Sequence, residues 1–143
     1  MIKIFVTDDQ RLVRQFVKEA LVDIPDFLIV GEADSGEETI ELIPEVCPDV
    51  LVTDLSMKGM NGIQVTENVR RLFPEIKVIV WTVSTDYIYA LGAKKAGASG
   101  FVVKDAGIGA LIDAIHGIDK DGFYLSPLLS NQRFNEFRRG FRC

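Results

Sequence analysis

The chain has 143 residues, 48% of them hydrophobic and 26% charged, a balance that suits one globular domain with a buried core. Its net charge of −5 argues against nucleic-acid binding by the body of the domain. No run approaches the roughly 18 apolar residues of a membrane span, and the start MIKIFVTDD lacks the basic region and long apolar stretch of a signal peptide.

In chain order, Ile2–Thr7 reads as a strand that ends at Asp8-Asp9. Val13, Phe16, Val17, Ala20, Leu21 and Ile24 recur at helical spacing and predict a first helix, ended by Pro25-Asp26. A second helix is expected over residues 37–46. Pro48-Asp49 leads into a strand over Val50–Thr53, followed by Asp54 and the glycine-containing turn SMKGMNG. A third helix over 63–72 is separated by Pro74 from the strand at 78–81, which Thr82 follows. A weakly amphipathic helix over 86–95 comes next. Gly97 and Gly100 then bracket a tight turn before the strand at 101–103 and Lys104. Ile108, Leu111, Ile112 and Ile115 mark the last helix.

Strand and helix patterns alternate five times, which predicts an α/β sheet covered on both faces. The strands read as apolar throughout, as burial of both faces requires. The composition shifts after Pro127, which divides a domain at 1–127 from a tail at 128–143. The tail segment SNQRFNEFRRGFRC carries four arginines and three phenylalanines with one acidic residue. Phe134, Phe137 and Phe141 recur at roughly helical spacing, so the tail reads as a short amphipathic helix, a linker stump or a disordered end. Cys47 and Cys143 lack a metal or redox spacing, which fits a reduced cytoplasmic setting.

Ligands of an open parallel sheet bind outside the carboxyl ends of its strands, so Asp8, Asp9, Asp54, Thr82 and Lys104 should converge in one crevice. Three carboxylates, a hydroxyl and an ammonium suit a hard divalent cation and a phosphoryl group. Mg²⁺ takes one or two carboxylates and retains waters, which makes Asp9 and Asp54 candidate ligands with Asp8 orienting metal-bound water. Asp8-Asp9 also reads as an N-cap of the first helix, and the two roles are compatible. Asp54 is the candidate nucleophile for an aspartyl phosphate, with Lys104 and Thr82 stabilising the transferred group. Taken singly, Thr82 is an ordinary strand residue and Lys104 a solvated charge. The conjunction of these five residues at strand ends carries the reading.

On TDD at 7–9, VLVTDLSMKGMNG at 50–62, VIVWT at 78–82 and AGASGFVVKD at 96–105, the chain resembles a response-regulator receiver domain of two-component systems from residue 1 to about 127. The Lys104-Asp105 pair and the segment DGFYLSP resemble the LuxR-type (NarL/FixJ) subfamily. The resemblance implies a flavodoxin-like (CheY-like) doubly wound five-stranded parallel sheet of order 2-1-3-4-5. It implies Mg²⁺ held by Asp8, Asp9, Asp54 and the backbone carbonyl of Ser56, and phosphotransfer from a sensor histidine kinase to Asp54. It further implies that Thr82 and Phe101 form a switch, the hydroxyl moving to the phosphoryl group as the ring turns inward. His116 in the last helix is expected to be a surface residue, and Trp81 to serve packing.

Departures from the family pattern bear on kinetics and output. Lys58 stands where the turn usually has proline, and Val83 where a smaller residue is common. Ser56, Val83 and Ser84 are the positions expected to tune phosphoryl loading and loss. The first reading is the receiver of a transcription regulator whose DNA-binding domain is missing from this chain, with homodimerisation through the first or last helices on phosphorylation. The second is a stand-alone receiver acting by protein contact or as a phosphate sink. A third, a metal-dependent phosphohydrolase, is disfavoured because Ser56 occupies the position of that class's second aspartate. As a receiver the chain is expected to accept phosphate and lose it slowly without turning over as an enzyme, and to bind no membrane. It is expected to have no sequence-specific DNA binding of its own beyond weak, salt-sensitive polyanion contact through Arg133, Arg138, Arg139 and Arg142.

Overall fold

The computed structural model describes residues 1–118, 122–126 and 129. Of the 128–143 tail only Leu129 is described, buried in the core, and the expectations for the rest, including the helical spacing of its phenylalanines, lie outside the described residues. The elements are β1 (Ile2–Thr7), α1 (Arg11–Val22), β2 (Phe27–Ala33), α2 (Gly36–Val46), β3 (Val50–Thr53), α3 (Gly62–Leu72), β4 (Lys77–Thr82), α4 (Tyr87–Ala96), β5 (Gly100–Val103), α5 (Ile108–His116) and β6 (Tyr124–Leu125). The sheet runs β2-β1-β3-β4-β5-β6 with every pair parallel. The flavodoxin-like order is therefore the observed one, extended by a sixth strand that the sequence did not announce. Two residues are too short to carry a periodic signal.

Strand alternation divides the core between two faces. Ile4, Val6, Val50, Val52, Ile79, Trp81 and Val102 project to one side and pack against Val17 and Leu21 of α1 and Leu111 and Ile115 of α5. On the other side, Phe5, Leu51 and Val78 meet Ile43 of α2 and Val65 and Val69 of α3. Val80, Phe101 and Val103 pack there against Ala90 and Ala93 of α4. The central strands, buried on both faces, are the continuous apolar runs that this arrangement demands.

Two expectations need correction. Phe16 does not belong to the core face of α1. It is 55% exposed, because the buried stripe runs through Val17 and Leu21 and the ring falls on its flank. The strands are also not apolar throughout. The edge strand β2 exposes Leu28 and carries Gly31 and Glu32, since only one of its edges is paired. Its register slips so that Phe5 lies opposite Gly31, where a Cβ would stand 2.8 Å from the Phe5 ring. Glycine is required there by this close approach.

Helix starts follow local capping chemistry. Ser35 Oγ accepts from Glu38 N, and Asp86 Oδ1 accepts from Ile88 N. Asn61 and Gln64 form a reciprocal capping box. His116, at the end of α5, lies 3.0 Å from Asp26 and tilts over Phe27, the surface role expected of it. That hydrogen bond holds the Asp26 carboxyl below its usual range.

Candidate functional site

The carboxyl edge of the sheet is aligned by register. Thr7 pairs with Thr53 and Thr53 with Val80, while Thr82 pairs with Val103. Asp8, Asp54 and Lys104 are each the next residue after a strand, so their Cα atoms stand along one rim. The amide of Asp54 donates to the Thr7 carbonyl at 3.0 Å, which extends the β1–β3 ladder to the acidic residues themselves.

Asp8, Asp9 and Asp54 each offer a carboxylate oxygen, and these atoms lie within 4.8 Å of one another. Asp8 is 2% exposed, whereas Asp9 is exposed. Lys104 Nζ sits 3.2 Å from Asp8 Oδ2 and 3.5 Å from Asp54 Oδ1. One ammonium against three carboxylates leaves two negative charges uncompensated. Burial, ahead of repulsion from Asp8, pushes the Asp54 carboxyl up despite the attraction of Lys104. An oxygen-rich site short of two positive charges fits a hard divalent cation.

Asp8 does not cap α1, nor does Asp9. The N-cap is Gln10, which makes no side-chain bond, and Asp8 Oδ1 instead accepts from the Gln10 amide at 2.8 Å. Asp54 Oδ1 accepts from Leu55 N at 2.9 Å and also faces Lys104, so Oδ1 is the held oxygen of this carboxylate. Gly62 permits this placement. Its amide donates to the Leu55 carbonyl, and a Cβ on it would lie 2.3 Å from the Asp54 carbonyl oxygen. No side chain fits there.

Thr82 is buried at the end of β4, and its Oγ1 accepts from Ser84 N at 3.2 Å. Val83 is 68% exposed, and Ser84 Oγ accepts from the Asp86 amide. Ser56 and Lys58 are exposed in the loop between β3 and α3. The Phe101 ring is wholly buried among Leu55, Val80, Ala90 and Val103, so its inward position is the one occupied. Trp81 lies on the opposite face in the core, as expected for packing, with Nε1 lacking a partner among the described residues.

Three supporting residues escaped the sequence reading. Arg14 donates to the Asp8 carbonyl, Glu32 holds Arg14, and Glu37 Oε1 accepts from Met60 N at 3.3 Å, tying α2 to the loop after Asp54. The available signals were an arginine beside the apolar stripe of α1 and an acid inside an otherwise apolar strand.

Residues 4–116 match the family described as the response regulator receiver domain. The chain is 33% identical over 138 residues to the transcriptional regulatory protein DegU of Brevibacillus brevis, covering 96% of this chain and 58% of that one. It is 37% identical over 132 residues to the response regulator GacA of Pseudomonas aeruginosa, covering 92% and 62% respectively. The chain thus spans about three fifths of the length of these relatives. Among solved structures it is similar to a LuxR-family two-component response regulator from Aurantimonas sp. SI85-9A1, with a TM-score of 0.89 and 30% identity over 97% of this chain and 99% of that one.

Proposed function

The chain belongs to the response regulator receiver family, and from that membership we propose that Asp54 accepts a phosphoryl group, in a Mg²⁺-dependent step, from the phosphohistidine of a sensor histidine kinase. The observation that carries the reading is the meeting of three carboxylates within 4.8 Å beside Lys104, at the rim where their strands end. Asp54 Oδ2 attacks phosphorus and forms a P–O bond. The donor's P–N bond breaks, and the histidine nitrogen leaves with the electron pair. Lys104 balances charge on the transferred group, and the Thr82 hydroxyl turns to donate a hydrogen bond to it. Asp8, Asp9, Asp54 and the Ser56 carbonyl would hold Mg²⁺, which when bound supplies neutralising charge for the phosphoryl oxygens.

Ser56, exposed two residues after Asp54, offers no carboxylate to activate water, which supports a phosphate that persists over a phosphohydrolase that turns over. Because the Phe101 ring already lies inward, phosphorylation would hold this arrangement with Thr82 and shift an existing equilibrium. Output would be control of transcription through a DNA-binding domain of the longer regulator, acting in the cytoplasm, with phosphorylation favouring a homodimer. Among the described residues no helix is long and apolar enough to cross a membrane.

The test is intact-mass measurement after incubation with acetyl phosphate and MgCl2. One phosphate per chain is expected, abolished by Asp54→Asn and by excess chelator. Full labelling of Asp54→Asn would place the phosphate elsewhere and overturn the assignment.

A further inference from the structure

Resting on the metal-site reading above, we propose that Arg14, locked by Glu32, is a positioning residue that aims the Asp9 carboxylate at the divalent cation. The two adjacent aspartates are held differently. Asp8 is fixed on every side: its amide donates to the Ala33 carbonyl at 3.2 Å, Oδ1 accepts from Gln10 N, and Oδ2 faces Lys104. Asp9 is exposed, and among the described residues its side chain makes no hydrogen bond. Its direction is therefore set by the backbone that carries it. The peptide plane between Asp8 and Asp9 is held by one side chain, since Arg14 Nη1 donates to the Asp8 carbonyl at 2.6 Å.

Arg14 is suited to that task by its own surroundings. Its side chain is 13% exposed, and its Nε donates to Glu32 Oε1 at 2.9 Å. The guanidinium is planar, so fixing Nε on one acceptor fixes the direction in which Nη1 points. Glu32 is in turn anchored in β2, whose Ala33 pairs with Thr7 next to Asp8. The chain of contacts runs Glu32, Arg14, Asp8 carbonyl, Asp9. Lys18 also binds Glu32, through its other oxygen, but makes no bond to the acidic pair. The two cations thus share one partner and differ in whether they reach the site.

That difference supplies the control. Mg²⁺ dissociation constants would be measured by calorimetric titration of the full chain, beside thermal melts, for the wild type, Arg14→Met, Arg14→Lys and Lys18→Met. Groups that orient a metal ligand typically change affinity by about tenfold or more when lost. Arg14→Met should therefore weaken Mg²⁺ by about tenfold. Arg14→Lys should weaken it too, because a single ammonium cannot reproduce the fork. Lys18→Met should lower the melting temperature while leaving Mg²⁺ affinity within about twofold, well short of the orienting effect. Unchanged affinity in folded Arg14→Met overturns the proposal. If that variant does not fold, wild-type affinity in Arg14→Lys overturns it instead. An equal loss in Lys18→Met would make the effect one of general stability and would also overturn it. A wild type that binds no Mg²⁺ would overturn the metal-site reading itself, a result distinct from these.

Discussion

Asp54 is a carboxylate placed where its own charge is disfavoured, beside a second carboxylate and with a single ammonium for relief. Such a group gains from any reaction or ligand that removes the excess charge, and that is the physical basis for reading it as the reactive residue. Its neighbours divide the remaining work. Thr82 presently spends its hydroxyl oxygen as an acceptor for the Ser84 amide, leaving its proton available to a new acceptor. Thr82→Ala should therefore still take up phosphate but lose the coupled response. The check is comparison of chemical-shift changes on phosphorylation, and identical changes in both proteins would remove Thr82 from the switch. Val83 stands open to solvent next to it, and the proposal that its bulk restricts donors and water at Asp54 has a direct test. Val83→Ala should speed both loading by acetyl phosphate and loss of phosphate, each by a factor of a few. Time courses of intact mass measure both, and an unchanged decay would show that access does not limit hydrolysis.

At the scale of elements, the loop between β3 and α3 is built on a contact that forbids a side chain. A Cβ at residue 62 would lie 2.3 Å from the Asp54 carbonyl oxygen, a backbone atom that cannot step aside. Gly62→Ala should cost about 3 kcal/mol of stability by overpacking and should slow phosphorylation by displacing Asp54, read by denaturant melts and by labelling rate. The strands that carry the site were legible because β1, β3, β4 and β5 are buried on both faces and leave unbroken apolar runs. Asp8, Asp54 and Lys104 were legible for a simpler reason, since each immediately follows such a run. What escaped detection depends on tertiary geometry. Phe16 shares the helical period of the core yet lies on its flank, β6 is two residues long, and β2 exchanges apolar residues for Gly31 and Glu32 at an edge. The Arg14–Asp8 and Glu37–Met60 bonds join a side chain to a backbone atom, and no residue pattern records which carbonyl or amide will be within reach.

For the whole molecule, these groups set opposing trends of stability with pH. Glu32 is held below its ordinary value of 4.5 by its hydrogen bonds to Lys18 and then Arg14. Its contribution is present above that value and is lost as pH falls through the depressed folded one. Glu32 is about a third exposed, so screening limits the contribution to less than about 1 kcal/mol. Asp54 has the opposite sign. Its folded value lies above the ordinary 3.8, so the native state holds the proton more tightly than the unfolded chain does. The cost of its charge is absent below 3.8 and is fully present once pH exceeds the raised value. In metal-free buffer at pH 7, Asp54→Asn should therefore melt above the wild type and Glu32→Gln below it. As pH falls, the Asp54→Asn advantage should shrink to nothing below 3.8, and the Glu32→Gln deficit should close below the depressed Glu32 value. Added Mg²⁺ should raise the wild type more than Asp54→Asn, because only the former keeps all three carboxylates. Melting curves across this pH range, with and without MgCl2, would check the set together. An Asp54→Asn protein less stable than the wild type at pH 7 without metal would mean that the crevice tolerates its charge, and the electrostatic case for a bound cation would fall with it.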